Sequence, residues 1–460
     1  MDFEHIKRVY FVGIGGIGMS ALARYFLLHG KAVAGYDKTS SDITADLEGM
    51  GVAVHHSDDV NLIPADYRTA KDDTLVIYTP AIPANHSELN FFINNGYSIT
   101  KRAQALGFIA SAMKTLAVAG THGKTSTTAM LSYILGNSSI GCEAFLGGIS
   151  KNFGSNLVSA GKGENILVVE ADEYDRSFLN LSPYLAVVTS VDADHLDIYG
   201  THEHVQEAFN LFAGQVKPNG ILVKKFGVNF NPNLASGVKT LTYGFAGNAD
   251  VYPSSINIDN GYYNFTLNTP NGIIENLRLG VLGRYNLENA LAASAAALAM
   301  GISANELRGG LQGFSGVVRR FDVRFNNGKS LYVDDYAHHP QEINAMVGSV
   351  RDVFPNRKVV GIFQPHLYSR TRDFADEFAR ALDKLDSVIL LDIYPARELP
   401  IEGVTSSLIL RGMENPGSML LSKDDVLEWI RGNDIDILLT MGAGDIDRMV
   451  PKIVEVLSSK

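Results

Sequence analysis

Short apolar runs rich in valine and isoleucine recur along the whole chain, and each is followed by a glycine-rich or acidic turn and then by a helix-like pattern. They include "RVYFVGIGG" and "TLVIYTPAI" near the N-terminus, "KTLAVAGTHGKT" and "NILVVEADEYD" in the middle, and "KVVGIFQPHLYSRT" and "DILLTMGAGD" towards the C-terminus. Apolar runs that alternate with helices in this way are typical of strands buried in parallel sheets. The sequence therefore predicts an α/β protein.

Changes in this pattern divide the chain into three domains. The helix-like piece "RAQALGFIASAM", near residue 102, leads into a fresh strand, and a third series of strands starts at about residue 315. From about 250 to 282, apolar residues alternate with turn residues, which predicts an antiparallel hairpin. We expect three α/β domains, over residues 1–102, 103–314 (with the hairpin) and 315–460.

The composition excludes several classes of protein. The formal net charge of −11 argues against a general nucleic-acid binder, because affinity for the phosphate backbone comes from clustered Lys and Arg. The single cysteine, Cys142, cannot form an internal disulfide, which points to a reducing compartment. No apolar run reaches the roughly 18 residues of a membrane span, and Asp2 and Glu4 do not suit a signal peptide. We predict a cytoplasmic protein without nucleic-acid or membrane partners, either a monomer or a dimer.

The first glycine-rich turn, in "VYFVGIGGIGMSA", has the form of a dinucleotide-binding loop. Gly13, Gly15 and Gly18 have the spacing G-x-G-x-x-G, and Asp37 follows Gly18 by 19 residues, as a ribose-binding acid would. Backbone amides at such a helix start can face a pyrophosphate. The candidate ligand-binding residues are Gly13, Gly15, Gly16, Ile17, Gly18, Met19, Ser20 and Asp37.

The second glycine-rich turn, in "AVAGTHGKTSTTAML", predicts a site for a nucleoside triphosphate. Its amides can cradle a polyphosphate, Lys124 can reach the β- and γ-phosphates, and the Thr125 hydroxyl can bind Mg²⁺. The match to a Walker A loop is imperfect, since Val118 stands where the pattern has glycine. The candidate residues are Gly120, Thr121, His122, Gly123, Lys124, Thr125 and Ser126.

Acidic residues after two further strands predict the metal site that such a loop requires. Glu170, Asp172 and Glu173 follow one strand, and Asp192, Asp194 and His195 follow another. Oxygen ligands at neighbouring strand ends suit one or two Mg²⁺ ions that bridge phosphates. A zinc site at His202 and His204 is disfavoured, because "THEHVQEAF" lacks the H-E-x-x-H spacing, and we interpret both as surface residues.

The C-terminal region concentrates arginines and histidines at predicted strand ends. Arg319 and Arg320 lie in "VVRRFDVRF", while "VDDYAHHP" and "FQPHLYSRT" each end a strand. His366 and Arg370 are four residues apart and would share one face if a helix began there. Because parallel sheets bind ligands at the carboxyl ends of their strands, we interpret this cluster as functional.

Eight motifs follow one another over essentially the whole chain: "GIGGIGMSALA", "GTHGKTSTT", "EADE", "DADHLD", "GRYNLENA", "RRFD", "DDYAHHP" and "QPHLYSRT". Together and in this order, they closely resemble the motifs of the Mur ligases of peptidoglycan synthesis. The resemblance implies an N-terminal Rossmann-like domain that binds a UDP-sugar, a central P-loop-type mononucleotide-binding α/β domain that binds ATP, and a C-terminal Rossmann-like domain that binds an amino acid. It also implies a reaction in which UDP-N-acetylmuramate is phosphorylated on its carboxylate by ATP, with Mg²⁺, and the acyl phosphate is attacked by the amine of L-alanine.

The resemblance further implies roles for individual residues. Thr125, Glu170 and His195 match the family's Mg²⁺ ligands, and Lys124 contacts the transferred phosphoryl group. Asn289 matches an adenine-contacting asparagine, while Arg320 and Asp335 match residues that reach the phosphates and ribose of ATP. The positions near the amino acid and the reacting phosphate are Tyr336, His366 and Arg370, with Arg370 as the partner of the alanine carboxylate.

The sequence departs from the family pattern at three points. Ser126 replaces a common threonine, Tyr285 stands where histidine is usual, and no lysine lies between His195 and Lys217 that could serve as the carbamylated lysine of some sister ligases.

Three alternative functions stay open. One alternative is a recycling ligase that adds a whole tripeptide to the same sugar nucleotide. The others are an NAD-dependent oxidoreductase that uses the first glycine loop and a P-loop ATPase that drives motion.

Overall fold

The computed structural model describes residues 5–161, 165–192, 196–396 and 398–460. The chain forms two compact units, and each is considered by itself. Unit 1 comprises Met1–Ser254, Thr266–Leu277 and Asn289–Phe314, and unit 2 comprises Ser255–Phe265, Arg278–Glu288 and Ser315–Lys460.

The first sheet of unit 1 is wholly parallel, with strand order β3-β2-β1-β4-β5. Its strands are β1 (Arg8–Val12), β2 (Ala32–Tyr36), β3 (Ala53–His55), β4 (Thr74–Tyr78) and β5 (Ser98–Lys101). The helices between and after them are α1 (Ile17–Leu28), α2 (Asp42–Gly49), α3 (Ala65–Thr69), α4 (Ser87–Asn94) and α5 (Arg102–Ser111). Because β1 lies at the centre of this sheet, the glycine loop that follows it opens at the middle of the carboxyl edge, where such sheets bind ligands.

The second sheet of unit 1 has seven strands in the order β12-β11-β10-β6-β9-β7-β8. The strands are β6 (Lys114–Ala119), β7 (Gly141–Ser150), β8 (Ser155–Gly161), β9 (Ile166–Glu170), β10 (Leu185–Val188), β11 (Ile221–Lys225) and β12 (Lys239–Tyr243). The helices are α6 (Lys124–Gly136), α7 (Leu196–Tyr199) and α8 (His202–Gly214). All neighbours are parallel except β7 and β8, which form an antiparallel hairpin at the edge. The second glycine loop leaves β6, between β9 and β10, so both acidic strand ends flank it.

The helix α1 belongs to the cores of both sheets of unit 1. Met19, Leu22 and Phe26 are buried, and they share one apolar cluster with Phe145 and Leu157 of the β7–β8 hairpin. A helix that is apolar on several sides is one that is buried on several sides. The glycine-loop helix is therefore packed between the first sheet and the edge of the second.

The region predicted as a hairpin forms a three-stranded sheet of β13 (Tyr252–Asp259), β14 (Tyr262–Thr269) and β15 (Gly272–Arg278). Two-residue turns join these strands, and such short connections are possible only between antiparallel neighbours. The helices α9 (Arg284–Ala299) and α10 (Ala304–Gly313) follow. The prediction of antiparallel strands is therefore confirmed, and the structure adds a third strand to them.

Unit 2 contains a six-stranded sheet of order β16-β17-β21-β18-β19-β20, in which only β16 is antiparallel to its neighbour. The strands are β16 (Asp322–Asn326), β17 (Leu331–Asp335), β18 (Val359–Phe363), β19 (Ser387–Leu390), β20 (Ser418–Leu420) and β21 (Ile437–Met441). The helices are α11 (Pro340–Val353), α12 (Tyr368–Asp373), α13 (Ala375–Leu382), α14 (Ser407–Arg411), α15 (Lys423–Gly432) and α16 (Val450–Ser458).

The predicted fold class, α/β with several mainly parallel sheets, is confirmed. The domain boundaries at 102 and 314 stay predictions. Within the described ranges, none of the helices has the length and apolar character that crossing a bilayer requires.

Candidate active site

The second glycine loop has the geometry of a phosphate-binding loop. Gly123 precedes the first turn of α6 with a φ of 82°, a conformation that favours glycine. A Cβ at Gly123 would also lie 2.5 Å from Oδ1 of Asn289, the asparagine of α9 that the resemblance places near adenine. Both the turn and this close approach therefore require glycine.

The side chain of Lys124 contacts the backbone of the loop and a buried carboxylate. Its ammonium donates to the carbonyl of Gly120 at 2.6 Å and to Oε1 of Glu173 at 2.7 Å. Burial acts to lower the pKa of Lys124, but Glu173 and Glu170 outweigh it, and the pKa is raised. Lys124 is therefore a permanent cation beside the loop.

Two of the predicted metal ligands are in contact. Thr125 Oγ1 donates to Glu170 Oε1 at 3.1 Å, and Oε2 of the same carboxylate accepts from the backbone of Gly147 at 3.1 Å. A hydroxyl and a carboxylate at a strand end fit Mg²⁺, which takes few protein oxygens and completes its octahedron with water and phosphate. The third predicted ligand, His195, and its neighbour Asp194 lie outside the described residues, and among the residues that are described no cluster of three or more His, Cys, Asp or Glu could hold a metal.

The segment after β10 fixes the shape of the phosphate loop. Ser190 Oγ accepts from the backbone of His122 at 2.9 Å and lies 2.7 Å from Oγ1 of Thr121. Asp192, predicted as a possible metal ligand, accepts from Oγ1 of Thr121 at 3.3 Å. Asp192 therefore stabilises the conformation of the loop.

The two histidines that we predicted as surface residues differ in exposure. His202 is half-buried, and its ring lies 2.9 Å from the Val191 carbonyl, whereas His204 is exposed.

The first glycine loop presents free backbone donors at the start of α1. Among the described residues, no side chain caps this helix start, so the amides of its first turn remain open to an anion. Asp37 is committed to the loop itself, because Oδ2 accepts from the Gly15 amide at 2.8 Å. The side chains of Met19 and Ser20 are buried, so Met19 can act only through its backbone. The Ser20 amide donates to the Gly16 carbonyl at 2.8 Å, so this predicted residue offers a ligand neither its side chain nor its amide.

Two polar residues at this helix were not predicted from the sequence. The guanidinium of Arg102 packs against Gly18, where a Cβ would lie 2.9 Å from Nη1, and its Nη2 lies 3.4 Å from Asp172 Oδ2. Asn156 of β8 is fully buried and donates to the carbonyl of Ile17 at 2.6 Å. Neither residue belongs to a recognisable motif, and their partners are distant in sequence.

In unit 2, the carboxylate of Asp335 at the end of β17 is buried and accepts three hydrogen bonds. The donors are the backbone of Phe321 at 2.6 Å, the hydroxyl of Tyr285 at 2.9 Å and the backbone of Ala337 at 2.8 Å. Burial raises the pKa of Asp335, and the positive charge of Arg320 opposes this shift. Tyr285, to which the sequence assigned no role, therefore positions Asp335.

Tyr336 lies under two arginines. The guanidinium carbons of Arg319 and Arg320 are each 5.1 Å from the centre of its ring. Arg319 and Phe321 both have positive φ, 61° and 45°. Backbone strain of this kind in non-glycine residues is concentrated at functional sites.

The histidines of unit 2 form a chain of aromatic contacts with Tyr336. Ring centres are 5.2 Å apart for Tyr336 and His338 and 5.9 Å apart for His338 and His366. Burial lowers the pKa of His338, which Glu342 opposes and Arg370 reinforces. The strands β17 and β18, which precede these groups, are separated in the sheet by β21.

His366 and Arg370 do not share a helical face, because the condition of that prediction, a helix that begins at His366, is not met. Helix α12 begins only at Tyr368, and Leu367 before it has a φ of 72°, which turns the chain between the two residues. His366 instead bridges to the backbone of Tyr394. Nη1 of Arg370 is buried and has no hydrogen-bond partner among the described residues, which leaves a donor for an anion.

Three sequence families match the chain in order. They are the Mur ligase family catalytic domain over residues 8–114, the Mur ligase middle domain over 118–297, and the Mur ligase glutamate ligase domain over 319–444. The chain belongs to the Mur ligase family. This Mur ligase is accordingly an ATP-dependent enzyme that forms amide bonds in peptidoglycan synthesis.

Full-length relatives support the assignment. This Mur ligase is similar to a UDP-N-acetylmuramate–L-alanine ligase of Porphyromonas gingivalis, with 50% identity over 99% of this chain and 100% of the relative. The solved UDP-N-acetylmuramate–alanine ligase of Thermotoga maritima superposes with a TM-score of 0.81 at 27% identity, over 98% of this chain and 100% of that one. A murein peptide ligase of Psychrobacter arcticus shares the fold, with a TM-score of 0.69 at 21% identity over 99% of both chains.

Proposed function

We propose that this Mur ligase joins L-alanine to UDP-N-acetylmuramate at the expense of ATP, with release of ADP and phosphate. The observation that carries the proposal is the phosphate loop, in which Thr125 contacts Glu170 and Lys124 contacts Glu173, in a chain that matches an L-alanine ligase over its full length. The cytoplasmic location expected from the sequence stays a prediction.

The first glycine loop is suited to the pyrophosphate of the sugar nucleotide. The uncapped amides at the start of α1 give a positive helix end, which favours an anion. Ile17, Gly18 and Met19, in the first turn of α1, would act through their backbone amides, and Asp37 would hold the conformation of the loop through Gly15.

The second loop would bind ATP and hold its γ-phosphoryl group beside the muramyl carboxylate. Transfer of a phosphoryl group depends on positioning and on neutralisation of charge, which Lys124 and the loop amides supply. Thr125, Glu170 and His195 would hold Mg²⁺, which neutralises phosphate charge when bound. The carboxylate attacks the γ-phosphorus, ADP leaves, and an acyl phosphate results.

Unit 2 offers groups for the amino acid. The buried free donor of Arg370 suits the carboxylate of L-alanine, and Tyr336 and His366 would lie near it. The alanine amine, once deprotonated, attacks the acyl carbon, and phosphate leaves as the amide forms. Arg320 and Asp335 would contact the nucleotide, with Asp335 held in place by Tyr285.

The alternative functions find less support. An NAD-dependent oxidoreductase would leave the whole phosphate loop without a purpose, and a motion-driving ATPase would leave the cluster of unit 2 without one. The tripeptide-adding ligase remains the strongest competitor, because the murein peptide ligase shares the fold. At 21% identity, however, that likeness is far weaker than the 50% identity with the L-alanine ligase.

An assay of ADP release separates these possibilities. The enzyme is supplied with ATP, Mg²⁺ and UDP-N-acetylmuramate, and then with L-alanine, glycine, L-serine or the L-Ala-γ-D-Glu-diamino-acid tripeptide. We expect turnover to depend on the sugar nucleotide and to be fastest with L-alanine. Preference for the tripeptide would establish the competitor, and the absence of alanine-dependent turnover would refute the proposal.

A further inference from the structure

A single buried asparagine joins the pyrophosphate-binding helix to the sheet that carries the phosphate loop. Asn156 lies in β8, at the edge of the second sheet, and is fully buried. Its Nδ2 donates to the Ile17 carbonyl at 2.6 Å and to Ser20 Oγ at 2.9 Å, and its Oδ1 accepts from Arg24 Nη1 at 2.6 Å. All three partners belong to α1, so the amide uses both of its donors and one of its two acceptor sites on this helix.

Arg24 extends the same contact to a third element. It is buried, and its Nη2 donates to Asp46 Oδ2 of α2 at 2.6 Å. A buried guanidinium in an otherwise apolar helix face is costly unless its donors are satisfied. The arrangement of Arg24, Asn156 and Asp46 therefore specifies one position of α1 relative to β8.

Apolar packing alone does not specify that position so closely. Tyr25 and Phe145 contact each other across the same interface, with ring centres 5.4 Å apart. Hydrophobic burial is non-directional and changes little when two surfaces shift slightly, whereas hydrogen bonds weaken steeply with misalignment. The polar contacts thus set the register, and the apolar contacts supply the attraction.

We propose that Asn156 is a positioning residue for catalysis, because it fixes the distance between the pyrophosphate site at the start of α1 and the phosphate loop of the second sheet. The inference rests on the proposed function. A sugar nucleotide held by α1 at its pyrophosphate must present its carboxylate to the γ-phosphate of ATP at the other loop. A misplacement of about 1 Å between reacting groups can reduce the rate roughly 10²-fold.

The test replaces Asn156 by aspartate, which has the same shape. Asn156→Asp removes both donors and places a carboxylate oxygen against the Ile17 carbonyl, so the contact becomes repulsive while the packing is kept. Asn152→Asp is the matched control, since Asn152 belongs to the same hairpin and its amide donates to the Gly313 carbonyl, which is not part of α1. Asn156→Ala serves as a second variant in case the aspartate does not fold.

We measure the affinity for UDP by calorimetry, KM for ATP, and kcat with UDP-N-acetylmuramate and L-alanine. For either Asn156 variant we expect the UDP affinity and the KM for ATP to stay within about twofold while kcat falls at least about tenfold, since each site is intact and only their spacing is disturbed. The control keeps all three values.

An unchanged kcat in a folded Asn156 variant would overturn the proposal. So would a loss of UDP affinity that accounts for the whole effect, because Asn156 would then shape the glycine loop itself. The wild-type enzyme in the same assay separates the two levels of inference. If the wild type does not use L-alanine, it is the proposed function that fails.

Discussion

The ammonium of Lys124 lies 2.7 Å from Oε1 of Glu173, a carboxylate that is 1% exposed. A buried pair of this kind makes the lysine part of the structure as well as part of the site. Removing one partner leaves the other charge buried and uncompensated, which typically costs about 3 to 5 kcal/mol. The effects of Lys124 on stability and on turnover must therefore be measured separately.

We predict that Lys124→Ala reduces both turnover and stability. Turnover should fall by at least about 10²-fold, because the lysine neutralises charge on the transferred phosphoryl group. The double variant with Glu173→Gln should recover most of the thermal stability and none of the turnover, as measured by calorimetry and ADP release. Activity that returned together with stability would show that Lys124 has only a structural role.

Removing Mg²⁺ should abolish turnover, and Glu170→Gln should raise the Mg²⁺ concentration that gives half-maximal rate by about tenfold or more, because an ionised ligand is replaced by a neutral one. Asp172→Asn is the matched control, since Asp172 faces Arg102. A titration of rate against Mg²⁺ measures both. Equal shifts for the two variants would rule out Glu170 as the specific ligand.

Tyr285→Phe should destabilise the protein by about 2 kcal/mol, because the buried Asp335 carboxylate loses a hydrogen bond from a donor 2.9 Å away. Tyr263→Phe is a close control. Tyr263 is buried whereas Tyr285 is half-buried, and the Tyr263 hydroxyl has no hydrogen-bond partner among the described residues. Chemical unfolding should show a clearly smaller loss for Tyr263→Phe, and equal losses would mean that the contact with Asp335 contributes nothing.

We predict that Glu88 makes the free energy of unfolding fall as the pH rises. It is fully buried, and burial raises its pKa to about 7 from an ordinary value of 4.5, although the Tyr10 hydroxyl donates to it at 2.6 Å. The folded state therefore holds a proton that the unfolded state has lost between about pH 4.5 and 7. The raised pKa of Glu88 therefore contributes about 3 kcal/mol to the free energy of unfolding. This contribution is complete below pH 4.5 and is lost as the pH rises through 7.

The comparison of Glu88→Gln with wild type isolates this effect. The stability of the variant relative to wild type should increase from about pH 5 to about pH 8, because only the wild type must ionise a buried carboxyl. Glu48→Gln, at an exposed glutamate of the same region, should follow the wild-type curve. A constant difference between Glu88→Gln and wild type over this range would contradict the pKa assigned to Glu88.

The sequence predicts those features that depend on local pattern. Apolar runs that end in glycine or acid predicted the parallel strands and the phosphate loop, and Glu170 lies beside Thr125 because β9 neighbours β6. The sequence does not predict tertiary contacts between residues that are distant along the chain. Asn156 meets Ile17 across 139 residues of chain, and no motif marks either residue. Backbone conformation was likewise hidden, as the positive φ of Leu367 separates His366 from the helix of Arg370.

The central claim is tested most directly by the products of a single reaction with UDP-N-acetylmuramate in which both oxygens of the lactyl carboxylate are ¹⁸O. Mass spectrometry of the sugar nucleotide and of the released phosphate reports both bond changes at once. We predict that the nucleotide gains one alanine less one water and that one ¹⁸O appears in the phosphate, as an acyl phosphate requires. An unchanged nucleotide, or phosphate without the label, would contradict the account.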